Sequence, residues 1–227
     1  MDTMDILSAI LWTPVAGILV LSLTPNQNTY IIRLTANIFT TLTLLLSCSL
    51  VIIYDQSNAG LQFTETISLN PKLGSFYALG IDGLSLPMLV LAALLTSVAL
   101  LASFTISSGV KGYHISILLL EFGMLGVFLA QDWALFYIFW EVTLIPLFYL
   151  IDRWGGKKRH MASLNFVLYT MGGSIFILMS IFAIAEYMPE QGNSLMVTMS
   201  QAAQSMPPNI LVLVLLGFLI GSGVKMP

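Results

Sequence analysis

Three ionisable side chains lie inside long apolar stretches of this sequence, where packing alone does not explain them. Glu141 stands in the middle of an apolar run, Trp133 to Ile151, that contains no basic residue. A carboxyl group is costly in the hydrocarbon interior of a membrane and is therefore a candidate functional group there. Because burial favours the neutral acid, such a group can bind and release a proton near physiological pH. The residue type and its surroundings therefore indicate proton or cation transport.

Glu121 and Lys225 are the other two charges within apolar runs. If the runs that carry Glu121 and Glu141 form antiparallel helices, their carboxyls lie at similar depths and can be neighbours. The alternative is that Glu121 hydrogen-bonds near the cytoplasmic end of its helix. Lys225 follows Gly221 and Gly223, and these glycines predict a broken helix, a common feature of transport sites. From spacing alone, Lys225 is either a switchable charge beside Glu141 or a marker of the cytoplasmic helix end.

Four further residues carry weaker chemical signals. Pro146 removes a backbone hydrogen bond from the helix of Glu141, which either admits water or makes a packing kink. His114 and His160 are expected to be titratable positions at the cytoplasmic ends of their helices, and neither has metal-ligand spacing. Cys48 is the single cysteine, which excludes a disulfide or a cysteine cluster within this chain and predicts a lipid- or core-facing side chain. We therefore predict no metal or cofactor site in the chain.

The composition defines the class of protein. Hydrophobic residues make up 57% of the chain, charged residues only 8%, and the mean hydropathy is +0.92, whereas roughly a quarter of a soluble domain is charged. The apolar runs approach the roughly 20 residues that a membrane-spanning helix needs and lack the alternation of a membrane β-barrel. No basic patch for nucleic acid is present. The sequence predicts an all-α polytopic membrane protein.

Hydropathy predicts seven helices, near residues 6–23, 34–54, 84–104, 113–130, 133–151, 162–186 and 209–226. The first lacks the features of a signal peptide and is read as a retained helix. The connection 55–82 is expected to form a short hairpin or an amphipathic segment. The connection 188–208 is expected to be a loop that contains, at most, a short amphipathic turn.

Basic residues in the connections predict the orientation of the chain. They collect in alternate connections, after the first, third and fifth helices, whereas the opposite side holds only Lys72. Because basic residues concentrate on the cytoplasmic side, the amino terminus should face away from the cytoplasm. The residues that carry this prediction are Arg33, Lys111, Arg153, Lys157, Lys158 and Arg159.

With these residues in place, the sequence resembles the antiporter-like subunits of complex I, in particular the subunit 4 or D-type chain of the photosynthetic NDH complex. Four segments carry the resemblance. They are Glu121-Phe-Gly-Met-Leu-Gly-Val-Phe, the run Asp132-Trp-Ala-Leu-Phe-Tyr-Ile-Phe-Trp140-Glu141 with Leu144-Ile-Pro146, the stretch Trp154-Gly155-Gly156-Lys157-Lys158-Arg159 with Leu168-Tyr-Thr-Met-Gly172-Gly173-Ser174, and Gly223-Val-Lys225-Met-Pro227.

The resemblance implies a fold and roles for the three charges. The fold would be an Mrp-antiporter-like inverted-repeat membrane fold, cut short after about seven helices with the seventh broken. Glu141 and Lys225 would be the central proton-translocating pair, and Glu121, the fourth-helix glutamate, would also take part in proton translocation. Residues 1–110 would hold the first three helices and the 55–82 loop, and residues 111–227 an incomplete first repeat. D-type chains are about twice as long, so this sequence would correspond to an amino-terminal half.

The implied function is that of a proton-translocating membrane subunit of an NAD(P)H- or ferredoxin:plastoquinone oxidoreductase. The chain itself would bind no cofactor, and iron-sulfur clusters and quinone are expected in partner subunits. Its partners would be the other membrane and hydrophilic subunits of an NDH or complex I assembly, together with lipids. Its location would be the thylakoid membrane of a cyanobacterium or chloroplast, with a bacterial plasma membrane as the alternative and the amino terminus on the lumenal side.

Two departures from the family pattern matter for this interpretation. Relatives often carry a second acid at the position of Thr143 and a lysine at that of Asn165. Their absence would weaken or reroute a lateral charge relay and suggests the form of the complex associated with carbon dioxide uptake. Two other functions stay open at this stage: an Mrp-type sodium/proton antiporter subunit, and a structural membrane anchor that does not transport.

Overall fold

The computed structural model describes residues 6–58, 60–70, 74–188 and 193–226. The elements in chain order are α1 (Ile6–Leu23), α2 (Thr29–Ile53), β1 (Gln62–Asn70), β2 (Ser75–Ile81), α3 (Ser85–Ala102), α4 (Val110–Leu129), α5 (Trp133–Val142), α6 (Leu144–Trp154), α7 (Arg159–Ala185), α8 (Met196–Gln204) and α9 (Pro208–Gly223). A short 3₁₀ turn, Ser103–Thr105, extends α3. The predicted all-helical membrane class is confirmed.

Within the described residues, six segments are long and apolar enough to cross a membrane. They are α1, α2, α3 with its 3₁₀ turn, α4, the pair α5–α6, and α7. The predicted seventh span is the shorter helix α9, which has 16 residues. Hydroxyl side chains in these helices bond to carbonyls of the preceding turn, as Thr43 does to Phe39 at 3.0 Å. This satisfies the hydroxyl where no water is present.

The chain divides into two compact units. The first comprises Met1–Glu65 and Leu79–Leu129, and the second comprises Thr66–Ala78 and Ala130–Pro227. The fourth helix, which the sequence prediction grouped with the later helices, packs against α1, α2 and α3 in the first unit. The extent of an antiporter-like repeat from residue 111 stays a prediction.

Close packing in the first unit depends on small residues. A Cβ atom at Gly17 of α1 would lie 2.8 Å from Cγ of Phe39 on α2 and 3.2 Å from a side-chain carbon of Leu118 on α4. These helices therefore approach closely at Gly17. The tight packing also covers His114, which is 0% exposed. The expectation that His114 lies at a titratable interface position is wrong, because the first turns of α4 are inside the bundle.

Strands β1 and β2 form a two-stranded sheet, so the expected hairpin in the 55–82 connection is confirmed. Glu65 of β1 is buried and accepts hydrogen bonds from the backbone N–H groups of Leu7, at 2.9 Å, and Ser8, at 3.2 Å to each carboxylate oxygen. A carboxylate is favourable at a helix N-terminus because the first amides there have no partner in the helix. Glu65 therefore fixes the start of α1.

The second unit is organised around α7, which contacts α5, α6, α8 and α9. Its apolar core is built from one face of α7 together with α8 and α9; the buried members include Ile177, Ile181, Ile184, Met199 and Val214. The expectation that the 188–208 connection is a loop with at most a short amphipathic turn is wrong for residues 196–204, which form the nine-residue helix α8. Predicted loop and charge positions at Asp2, Asp5, Lys72, Pro189, Glu190, Gly192 and Pro227 lie outside the described residues.

Candidate functional site

The span that carries Glu141 is interrupted two residues after it. Helix α5 ends at Val142, Thr143 separates the two helices, and α6 begins at Leu144. Pro146 has no N–H group, so the carbonyl of Val142 loses its usual helical partner. The backbone hydrogen bond from the Thr143 N–H to the Phe139 carbonyl at the break is long, with an N–O distance of 3.4 Å. The predicted loss of a helical hydrogen bond at Pro146 is confirmed, whereas the choice between water entry and a packing kink stays open. The break leaves polar backbone atoms available to other groups.

Lys225 uses one of these atoms. Its Nζ atom donates to the carbonyl oxygen of Trp140 at 2.6 Å and to the hydroxyl of Thr143 at 3.1 Å. It also lies 4.0 Å from the centroid of the Trp140 ring, where an ammonium group is attracted to the electron-rich face. We call these three groups, the Trp140 carbonyl, the Trp140 ring and the Thr143 hydroxyl, the lysine cradle. Lys225 therefore has specific contacts inside the second unit, and its functional role stays a prediction.

Glycines on two helices bring Lys225 to the cradle. A Cβ atom at Gly221 of α9 would lie 2.3 Å from Cγ1 of Ile177 and 2.9 Å from the carbonyl oxygen of Gly173 on α7. One at Gly217 would lie 2.2 Å from the hydroxyl of Ser180. Glycines four residues apart place one face of α9 directly against α7. The helix then ends at Gly223, as the predicted break requires, and Lys225 follows the end.

Glu141 is half-buried on the same helix as the cradle. Among the described residues, its Oε1 atom is buried and has no hydrogen-bond partner. Glu141 and Lys225 interact electrostatically, but no N–O distance between them is within 4.0 Å; the ion pair found in the described part of the chain is the one between His160 and Asp152. Glu141 and Lys225 are thus near each other without direct contact.

A cavity of about 520 Å³ opens beside Glu141. Its walls come from α5, α6 and α7, and Glu141 is the acidic group among them. The hydroxyl of Tyr137, one helical turn before Glu141, interacts with both Glu141 and Ser174 of α7. The lining residues are Tyr137, Ile138, Glu141, Val142, Leu144, Ile145, Phe148, Val167 and Met171.

Glu121 belongs to the first unit, on α4. It is 0% exposed, and neither carboxyl oxygen has a hydrogen-bond partner among the residues that the structure describes. Of the three predicted site residues, the structure therefore brings Glu141 and Lys225 together in one unit, and Glu121 lies in the other. The proposed juxtaposition of Glu121 and Glu141 stays a prediction.

Sequence reasoning did not identify the cradle or Tyr137. Thr143 drew attention only as a departure from the family pattern, and Trp140 as part of the motif that contains Glu141. Two signals were available: a proline three residues after Thr143 frees nearby backbone groups, and residues four apart on a helix, such as Tyr137 and Glu141, are neighbours. Among the described residues, no group of three or more potential ligands is arranged to hold a metal ion.

The arrangement of apolar helices resembles that of antiporter-like membrane subunits. Residues 130–227 match the family described as NADH:quinone oxidoreductase/Mrp antiporter, TM. The sequence is similar to chain 4 of NAD(P)H-quinone oxidoreductase. Chain 4 1 of a Picosynechococcus species is 42% identical over 177 residues, which cover 77% of this chain and 32% of that protein.

Two further comparisons cover nearly the whole sequence. Chain 4 1 of Microcystis aeruginosa is 34% identical over 97% of this chain and 42% of its own length. A chain of respiratory complex I from Thermus thermophilus, solved with bound NADH, has a TM-score of 0.83 at 25% identity and covers 97% of this chain and 44% of its own length. This chain thus spans about a third to two fifths of the curated relatives named here.

Proposed function

We propose that the chain forms part of a proton-translocating membrane subunit in an NAD(P)H- or ferredoxin:quinone oxidoreductase of the complex I type. Glu141 is the proton-binding group, and Lys225 is the mobile countercharge that controls it. The similarity to chain 4 of NAD(P)H-quinone oxidoreductase supports the assignment of the complex. The position of Lys225, held on α5 near an unpartnered carboxyl oxygen, is the observation that carries the mechanism.

The proposed mechanism depends on how close the two charges are. An ammonium group near a carboxyl favours the carboxylate, and its withdrawal favours proton uptake. In the structure the Lys225 ammonium group bonds to neutral acceptors, so direct pairing with Glu141 requires it to leave them. Reorganisation in a neighbouring subunit would shift the population between these arrangements. Tyr137 and Ser174 supply hydroxyls through which a proton can reach or leave Glu141.

The chain would supply no redox centre in this mechanism. Electron transfer through iron-sulfur clusters to plastoquinone would take place in partner subunits, and this chain would use the energy released there. The proposed location is a thylakoid or bacterial plasma membrane, with the amino terminus on the lumenal, non-cytoplasmic side. The neutral side chains at Thr143 and Asn165 are the reason for proposing the form of the complex that takes part in carbon dioxide uptake.

Replacement of Glu141 by Gln tests the assignment. Glutamine keeps the shape and removes the exchangeable charge, so the number of protons moved per electron should fall while electron transfer continues. The measurement is the proton-to-electron ratio of the intact complex in sealed vesicles. Glu186→Gln is the matched control, because Glu186 is exposed at the end of α7. A normal ratio in Glu141→Gln would remove Glu141 from the mechanism.

The same preparation separates two other functions. Sodium-dependent proton exchange that continues without electron transfer would support an Mrp-type antiporter subunit. Full proton translocation after replacement of both Glu141 and Lys225 would support a structural anchor. The proposal requires a loss in the double variant and no dependence on sodium.

A further inference from the structure

We propose that Thr143 is a positioning residue for Lys225: its hydroxyl holds the ammonium group in the lysine cradle and away from Glu141. This inference rests on the proposed function, because it concerns the same pair of charges. It adds a residue that sets how readily Lys225 leaves its resting place. The relevant observation is that Lys225 contacts two oxygen atoms at the helix break and neither belongs to Glu141.

The hydrogen-bond roles at Thr143 are fixed by its partners. An ammonium group carries only donors, whereas a hydroxyl carries one donor and two acceptor lone pairs. The Thr143 hydroxyl donates to the carbonyl of Trp140 at 2.8 Å and can therefore accept from Lys225 at 3.1 Å. The Trp140 carbonyl accepts hydrogen bonds from both the Thr143 hydroxyl and the Lys225 ammonium group. Thr143, Trp140 and Lys225 thus form a closed set in which the hydroxyl is well oriented.

The position of Thr143 in the helix explains why it can serve this role. It lies at the break between α5 and α6, and it is 8% exposed, so its hydroxyl is held by the surrounding structure. In a continuous helix the Trp140 carbonyl would accept from the amide four residues later. At this break the carbonyl lies 2.6 Å from Lys225. The break therefore creates the cradle, and Thr143 completes it.

A neutral residue at this position has a specific consequence. A carboxylate there would bind Lys225 as a second anion and would itself take up protons. Thr143 offers a hydrogen bond without charge, so Glu141 is the charged group that acts on Lys225 within the described residues.

Tyr137 is the titratable neighbour of Glu141. The loss of one ordinary hydrogen bond from the cradle should change the balance between the two positions of Lys225 about tenfold.

Paired variants at Thr143 separate the hydroxyl from the rest of the side chain. Thr143→Val keeps the shape and removes the hydroxyl, and Thr143→Ser keeps the hydroxyl. The readout is the infrared band of the protonated Glu141 carboxyl in the intact complex at neutral pH, assigned by its loss in Glu141→Gln. In Thr143→Val, Lys225 should move towards Glu141, and the ratio of protonated to ionised Glu141 should fall about tenfold. Thr143→Ser should match the unmodified protein.

Equal behaviour of the two variants would overturn the proposal, whether both change the band or neither does. A rise in protonated Glu141 in Thr143→Val would also overturn it. If the valine variant does not assemble, Thr143→Ala supplies the same comparison with Thr143→Ser. Failure of this inference is distinguishable from failure of the proposed function, because the effect of Glu141→Gln on the proton-to-electron ratio does not depend on Thr143.

Discussion

Two groups of acids in this chain have opposite hydrogen-bond environments. Glu65 and Asp132 lie at the starts of α1 and α5, and their carboxylates accept several hydrogen bonds each. Glu121 and Glu141 lie within apolar spans, and among the described residues they leave carboxyl oxygens without partners. Both groups contain acids that are fully buried, Asp132 and Glu121 each being 0% exposed. Burial alone therefore does not distinguish a structural acid from a functional one.

Asp132 shows what a structural acid looks like. Its carboxylate accepts from the N–H of Leu135 at 3.0 Å, from the N–H of Phe76 at 3.0 Å and from the hydroxyl of Ser194. It thereby caps α5 and connects this helix to β2 and to the segment before α8. A proton carrier with these hydrogen bonds would have to break them each time it binds a proton. Glu141, in contrast, interacts with the Tyr137 hydroxyl, and its Oε1 atom has no hydrogen-bond partner among the described residues.

The largest expected difference comes from removing Asp132. Asp132→Ala leaves the backbone amides of Leu135 and Phe76 without their acceptor, whereas the Ser194 hydroxyl keeps the carbonyl of Gly74 as an acceptor. Each buried donor without an acceptor costs about 1 to 3 kcal/mol. We expect a loss of about 3 kcal/mol or more in the free energy of unfolding, together with poor assembly. Glu141→Gln should change stability little. Denaturation of both variants in detergent checks the contrast, and equal losses would contradict the division into two groups.

The second prediction concerns the packing that positions Lys225. Gly221→Ala places a methyl group against Ile177 and the backbone oxygen of Gly173, which should cost about 2 kcal/mol and move Lys225 from the lysine cradle. Gly223→Ala is the control, because a Cβ atom there meets nothing within 4 Å. The free energy of unfolding and the proton-to-electron ratio should both fall in Gly221→Ala and stay unchanged in Gly223→Ala. Similar behaviour of the two would show that close contact between α7 and α9 is not needed.

Glu121 provides a test in the opposite direction. A buried polar group without a partner costs about 1 to 3 kcal/mol, so Glu121→Met, which keeps much of the volume and removes the carboxyl, should raise stability by about 1 kcal/mol. The midpoint of thermal unfolding should increase. A large decrease would mean that Glu121 has stabilising partners and belongs with Glu65 and Asp132.

A small effect is expected at Asp82, whose carboxylate accepts hydrogen bonds from the N–H groups of Leu84 and Ser85 at the start of α3. Backbone N–H bonds from Ser85 and Leu84 hold the pKa of Asp82 below its ordinary value of 3.8. A lowered pKa in the folded state means that the carboxylate stabilises the protein above the unfolded-state pKa, and that this contribution is lost as the pH falls through the folded value. Asp82→Ala should cost about 1 kcal/mol at pH 7, and the difference should shrink in acid. A difference that is independent of pH would contradict this assignment.

The sequence predicts the spans well because composition and length decide them. The break at Pro146 and the end of α9 at Gly223 also follow from local chemistry, since proline lacks an N–H group and glycine disfavours a helix. These features are properties of single segments. They require no knowledge of how one helix is rotated against another.

The contacts of the candidate site depend on that rotation and could not be predicted. Periodicity gives the approximate depth of Glu121, Glu141 and Lys225, but not which side chains face each other. The lysine cradle joins residues 140 and 143 to residue 225, and its geometry is set by glycine contacts between α7 and α9. For the same reason, the grouping of Glu121 with α1, α2 and α3 was not anticipated.

The most direct test of the central claim is to observe the protonation of Glu141 during turnover. Redox-triggered infrared difference spectra of the intact complex should contain a carboxyl band that rises and falls with electron transfer. The account predicts that this band is absent in Glu141→Gln and present in Glu65→Gln, which alters a hydrogen-bonded structural acid. A band that persists in Glu141→Gln, or spectra without any carboxyl change, would contradict the assignment of Glu141 as the proton carrier.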